Sequence, residues 1–166
     1  MSRLLAGLAL GAALAGPAAA AGSRTAVVDL GGTRGYVRAD QGSPLAAVEL
    51  FVHAGLDRQT AGQSGLAALV AESVLNTPVD PATGSGQAVA LTDAVDARGA
   101  SISYVVAAQH VRFFLEGTPD GVAEAAPLVA RALAAPAFDA AAFSAARAAL
   151  TERIAAAEGD PRFVGL

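Results

Sequence analysis

The side chains equipped for acid–base, nucleophilic or metal chemistry are few in this chain. Cysteine is absent, so neither disulfides nor thiolate metal sites are available. The two histidines, His53 and His110, fall on different expected strands; with Glu72 or Glu152 they supply ligand types that zinc accepts. No second-shell partner for either imidazole is evident, and both read as partly exposed strand histidines. Glu72 reads as a solvated helix glutamate, or one paired with a nearby arginine, in preference to a base working without metal. Gly62-Gln63-Ser64-Gly65 follows a strand and opens a helix, which invites a nucleophile-elbow reading. The elbow needs glycine two residues after the serine, where this chain has Leu66. Ser64 is instead expected to cap the helix N-terminus with its hydroxyl. Gly84-Ser85-Gly86 lacks the lysine of a phosphate loop and reads as a flexible loop.

The elements that position these residues follow from periodicity and turn chemistry. Thr25 to Leu30 and Gly35 to Asp40 read as short strands around the glycine-rich turn Gly31-Gly32-Thr33-Arg34. After the turn Asp40 to Pro44, Leu45 to Ala54 is a strongly apolar strand, expected to be central in a sheet, and Gly55 ends it. A helix is expected from Ser64 to Leu75, its buried stripe formed by Leu66, Leu69, Val70, Ser73 and Val74. Ala68, Glu72 and Leu75 lie along the neighbouring stripe. Asn76 to Gly86 reads as a loop, and Gln87 to Arg98 as a helix that stops at Gly99. Strands follow over Ala100 to Ala107 and Gln109 to Glu116; in the second, Val111, Phe113 and Leu115 alternate with more polar positions and mark a core face. Tyr104 and Phe113-Phe114 read as core or partner surface. Thr118-Pro119-Asp120 starts a helix to Ala134: threonine caps, proline takes the first helical position, and aspartate complements the dipole. The last helix, Asp139 to Glu158, is given the stripe Phe143, Ala146, Leu150 and Ile154, and Gly159-Asp160-Pro161 ends it. The order β-β-β-α-α-β-β-α-α predicts an α+β fold with a largely antiparallel sheet layered with helices.

The N-terminus reads as a secretory signal over residues 1–21. Arg3 supplies the positive region, Leu4 to Gly16 the apolar run, and Ala18 to Ala21 small residues for cleavage. The run is too short for a good transmembrane anchor, so no stable membrane anchor is expected after cleavage, and periplasmic export in a Gram-negative bacterium is the expected destination. Residues 22–166 then form one domain. Its basic residues are all arginine, scattered, and outnumbered by acidic ones to a net charge of −4, which leaves no electrostatic footprint for nucleic acid.

Gly65-Leu66-Ala67-Ala68-Leu69-Val70-Ala71-Glu72-Ser73-Val74-Leu75 resembles the motif helix of the pitrilysin/insulinase family of zinc peptidases, the inverzincins, which reads G-L-A-H-F-L-E-H-M-L. The inverted H-x-x-E-H motif holds zinc with two histidines one turn apart and uses the glutamate as general base. Here Ala68 stands at the first histidine, Ala71 at the glutamate and Glu72 at the second histidine. The resemblance extends over most of the chain. Phe51-Val52-His53-Ala54-Gly55 is similar to the family's apolar strand ending in alanine-glycine. Ala97-Arg98-Gly99-Ala100-Ser101-Ile102 is similar to its glycine turn into a substrate-binding edge strand. Ala135-Pro136-Ala137-Phe138 with Phe143, and Asp160-Pro161, resemble the entry and end of its last first-lobe helix.

The resemblance implies the fold of the family's first lobe without its chemistry. The third zinc ligand of active relatives is a glutamate on the last helix; Glu152 lies near that place as a weak remnant, and Arg153 fits as well when counted back from Pro161. An asparagine that family enzymes carry near Ile102 is replaced by an aliphatic residue. Lacking zinc ligands and general base, the chain is not expected to be an enzyme by itself or to hold a cofactor. It is expected to be a non-catalytic subunit that encloses or holds extended peptide through the strand Ser101, Ile102, Ser103, Tyr104 and Val105. Main-chain hydrogen bonds from an edge strand need no particular side chains. Its partner would be a separate, zinc-bearing subunit with H-x-x-E-H. The rival reading is a peptide-binding or assembly module acting without a protease partner. Family members continue into a second lobe, so the chain is also expected to be a C-terminally truncated piece.

Overall fold

The computed structural model describes residues 25–29, 33–40, 42–79, 88–136, 138 and 140–158. The expected signal segment, Gly31-Gly32, most of the loop after Asn76, Ala137 and the Gly159-Asp160-Pro161 stop lie outside the described residues.

Strands β1 (Thr25–Asp29) and β2 (Arg34–Arg38) form an antiparallel hairpin. Strand β3 (Ala46–Val52) pairs antiparallel with β7 (Val111–Gly117), which also pairs antiparallel with β6 (Ala100–Val106), giving the order β3-β7-β6. Helix α1 (Leu66–Leu75) is followed by two-residue strands β4 (Pro78–Val79) and β5 (Val89–Ala90), which pair with each other at the base of the expected loop. Helices α2 (Leu91–Asp96), α3 (Pro119–Ala134) and α4 (Ala140–Glu158) complete the fold. It is an α+β structure of antiparallel sheets layered with helices, in the expected element order apart from the added β4–β5 pair.

One face of the three-stranded sheet builds the core. Ile102 of β6 lies opposite Leu115 of β7, and Tyr104 opposite Phe113, so these side chains point together toward α1, α2 and α3. Phe113, Leu115, Leu91, Val95, Val122 and Val129 are buried there. The opposite face carries Glu49, Phe51, Val105, Arg112 and Phe114, with Arg112 paired to Glu49 at 3.5 Å. Strand β3 is an outer strand among the described residues, not the central one its apolar run suggested. Among the described residues helices meet one of its faces, and Phe51 on the other is 58% exposed.

Three glycines fix α2, β6, β7 and α3 together, one by a left-handed turn and two by close approach. Gly99 adopts φ +73°, as its place after α2 required. A Cβ on Gly121 would lie 2.3 Å from the Arg98 carbonyl oxygen, and one on Gly117 2.5 Å from the Ala100 Cα. Thr118 caps α3 as expected, accepting a hydrogen bond from the Gly121 N–H at 3.1 Å, with Pro119 at the first position. Helix α2 is shorter than expected because Val89 and Ala90 are taken up by the β4–β5 pair.

Candidate functional site

The site lies where α1, β6 and α4 converge, and each element enters for a readable reason. Gly55 ends the β3 segment where a Cβ would meet backbone atoms of Gln109 and His110 at 2.4 Å, so the chain can pass beneath the β6–β7 turn. Thr60 and Gln63 then form a capping box around the short 3-10 turn Ala61–Gln63. Helix α1 begins at Gly65, whose φ of +85° suits glycine alone, and Gln59 Oε1 accepts from the Ala67 N–H at 3.2 Å. Ser64 is therefore not the N-cap: Gly65 holds that position, and the glutamine amide does the capping work.

The buried side of α1 keeps Ser73 and Val74 of the expected stripe, with Leu69 half-buried, and departs from it elsewhere. Ala67, Ala71, Val74 and Leu75 are buried, whereas Leu66 and Val70 are exposed. Helix α4 packs against α1, and its buried residues are Ala142 and Ala146. Ala146 of the expected α4 stripe is buried and Leu150 half-buried, but Phe143 and Ile154 are exposed. Polar side chains bridge the two helices.

Glu72 is the centre of that bridge. It is only 8% exposed, on a helix face between β6 and α4. Arg153 of α4 donates from Nη2 to Glu72 Oε2, and from the same nitrogen to the Tyr104 hydroxyl oxygen. Tyr104 donates its own hydroxyl to Glu72 Oε2 at 3.0 Å. Asn76 Nδ2 donates to the Glu72 backbone carbonyl at 2.9 Å and reaches Oε1 at 3.4 Å. The Arg153 guanidinium carbon lies 5.0 Å from the Tyr104 ring centroid, close enough for a cation–π contribution. Burial, together with the Glu72 charge, raises the Tyr104 phenol above its usual range despite the opposing arginine.

Around this cluster is an open groove of about 520 Å³, with Glu72 and Leu75 on one wall, Ile102, Ser103 and Tyr104 on another, and Ala149, Glu152, Arg153 and Ala156 on the third. The edge-strand residues Ser101 to Val105 sit on β6, an outer strand of its sheet among the described residues, and three of them line the groove. Of the degenerate motif positions, only Glu72 reaches it. Ala71 is buried in the core and Ala68 is half-buried. Glu152 faces the groove from α4, but the residue bonded to Glu72 is Arg153. That choice was open in the sequence.

The donor set does not suit a metal ion. Glu72 is the single carboxylate at the motif helix, and a guanidinium already occupies its oxygen; bringing a divalent cation there would place two positive charges together. Among the described residues no group of three His, Asp or Glu side chains is placed to hold a metal. His53 accepts from Arg58 at 3.1 Å, and the His110 ring stands edge-on to Phe51 at 5.1 Å, both away from the groove. The role of Tyr104 was missed in the sequence, where it read as core or partner surface. Its polar end meets Glu72 over a separation of 32 residues that no local pattern encodes. No protein-family model matches the chain, and no curated protein matches it.

Proposed function

We propose that the chain is a non-catalytic, pitrilysin/insulinase-like subunit that holds or encloses extended peptide and pairs with a zinc-bearing H-x-x-E-H subunit in the periplasm. The observation that carries the reading is the Glu72–Arg153–Tyr104 cluster. It joins the motif helix, the edge strand and the last helix, with Glu72 at the second histidine position of the resemblance and Arg153 at one of the two places open for its third ligand, and an arginine is no zinc ligand. A guanidinium bonded to a carboxylate and a phenol ties three elements together much as a metal would, while polarising no water. Peptide holding is left intact by this exchange, because the outer strand β6 offers main-chain groups beside the groove.

Zinc belongs in this reading to the partner. The purified chain is expected to carry no stoichiometric zinc and to hydrolyse no peptide, measured by elemental analysis and by a quenched-fluorophore peptide assay. Stoichiometric zinc, or hydrolysis abolished by a chelator, would refute the non-catalytic assignment.

A further inference from the structure

Charge compensation inside the groove is uneven. Glu72 accepts from Arg153 and Tyr104, and Arg153 spends its charge on that carboxylate. Glu152, one residue earlier on α4, lines the same groove but makes no hydrogen bond or ion pair among the described residues. Among the described residues the groove thus keeps one uncompensated negative charge. Its surroundings are suited to a long aliphatic stem: Ala149 and Ala156 flank Glu152 on α4 without filling the space, and Leu75 and Ile102 supply apolar wall. Lysine and arginine bury such stems on apolar surface while the charged head seeks a carboxylate.

From this we infer that Glu152 is a specificity residue: the groove selects an extended peptide that carries a basic side chain beside β6. The inference rests on the peptide-holding reading and adds the side-chain class to it. Glu152 is exposed, so its ion pair with a ligand is a surface one and gives a preference of about two- to fivefold. Added salt weakens that preference.

The test uses the mature protein and three labelled, capped peptides of alternating valine and threonine, identical except for one central arginine, alanine or glutamate. Fluorescence anisotropy at low ionic strength is expected to rank them arginine, alanine, glutamate. Glu152→Gln should equalise the arginine and alanine peptides, and E152R should invert the order. Equal binding of all three by the unsubstituted protein would overturn the specificity inference while leaving peptide holding in place. Binding of none would overturn the peptide-holding reading and the inference with it.

Discussion

Removing Arg153 should destabilise the protein more than removing the charge it neutralises. In Arg153→Met the Glu72 carboxylate stays on α1, 8% exposed, with only the Tyr104 hydroxyl at 3.0 Å and the Asn76 amide at 3.4 Å to hold it. Breaking a fully buried pair costs ~3–5 kcal/mol, and an exposed one ~0.2–1 kcal/mol. The Arg153 side chain is 53% exposed, so water replaces part of what is lost and the expected cost is about 1–3 kcal/mol. Glu72→Gln has the opposite geometry. Arg153 can turn to solvent, the glutamine still accepts from Tyr104, and the cost is about 1 kcal/mol or less. Urea unfolding of the protein measures both, and with a slope of ~2 kcal/mol per molar the arginine variant should shift the midpoint by roughly 0.5–1.5 M. The double variant should fall short of the sum of the two singles by at least ~0.5 kcal/mol. Strict additivity, or an arginine variant indistinguishable from the parent, would show that the guanidinium does not bind Glu72 in solution, and the argument for the cluster would fail.

The same cluster sets a titration. Tyr104 is raised by burial and by Glu72 and lowered by Arg153, so R153M should push its phenol higher and E72Q should bring it lower, read from phenolate absorbance. Because a raised phenol favours the folded state below its unfolded value, this contribution is present from neutral pH upward to that value and fades as pH rises through the folded one. Gly121→Ala should cost about 3 kcal/mol, since its Cβ would meet the Arg98 carbonyl oxygen at 2.3 Å and backbone cannot yield; thermal unfolding checks it. Leu91→Ala, at a site with 0% exposure, should cost ~2–5 kcal/mol in the same assay. Thr118→Ala should cost only ~1 kcal/mol, because it removes one cap hydrogen bond and no packing.

Local rules carried the sequence reading where one segment holds the whole signal. The alternation Val111, Phe113, Leu115 gives the core face of β7, Thr118-Pro119 gives the start of α3, and Gly99 gives the left-handed stop after α2. The reading broke where a second element decides the outcome. Leu66 and Val70 are more apolar than Ala67 and Ala71, so hydropathy placed them inside; the docked helix turns the alanines into the core instead. Phe143 and Ile154 were assigned to the buried face of α4 for the same reason, although Ala142 and Ala146 are the residues it buries. Strand β3 read as central from its run of apolar residues, yet hydropathy alone does not say whether both faces are covered. For the site, Glu72 and the uncertainty between Glu152 and Arg153 were legible, as was the chance of an arginine partner. Which of the two α4 residues meets Glu72, and the part of Tyr104, depend on the docking angle of α4, which a helix register counted from Pro161 fixes only to a residue or so.

The central claim is a division of labour between this chain and a zinc-bearing subunit. Its most direct test is purification of the tagged native gene product from its host, with subunit identity and stoichiometry read by mass spectrometry. An H-x-x-E-H subunit recovered in matching amount, with zinc and peptide hydrolysis residing in that subunit, is the predicted result. Recovery of the chain alone and folded, with no such subunit, would contradict the account.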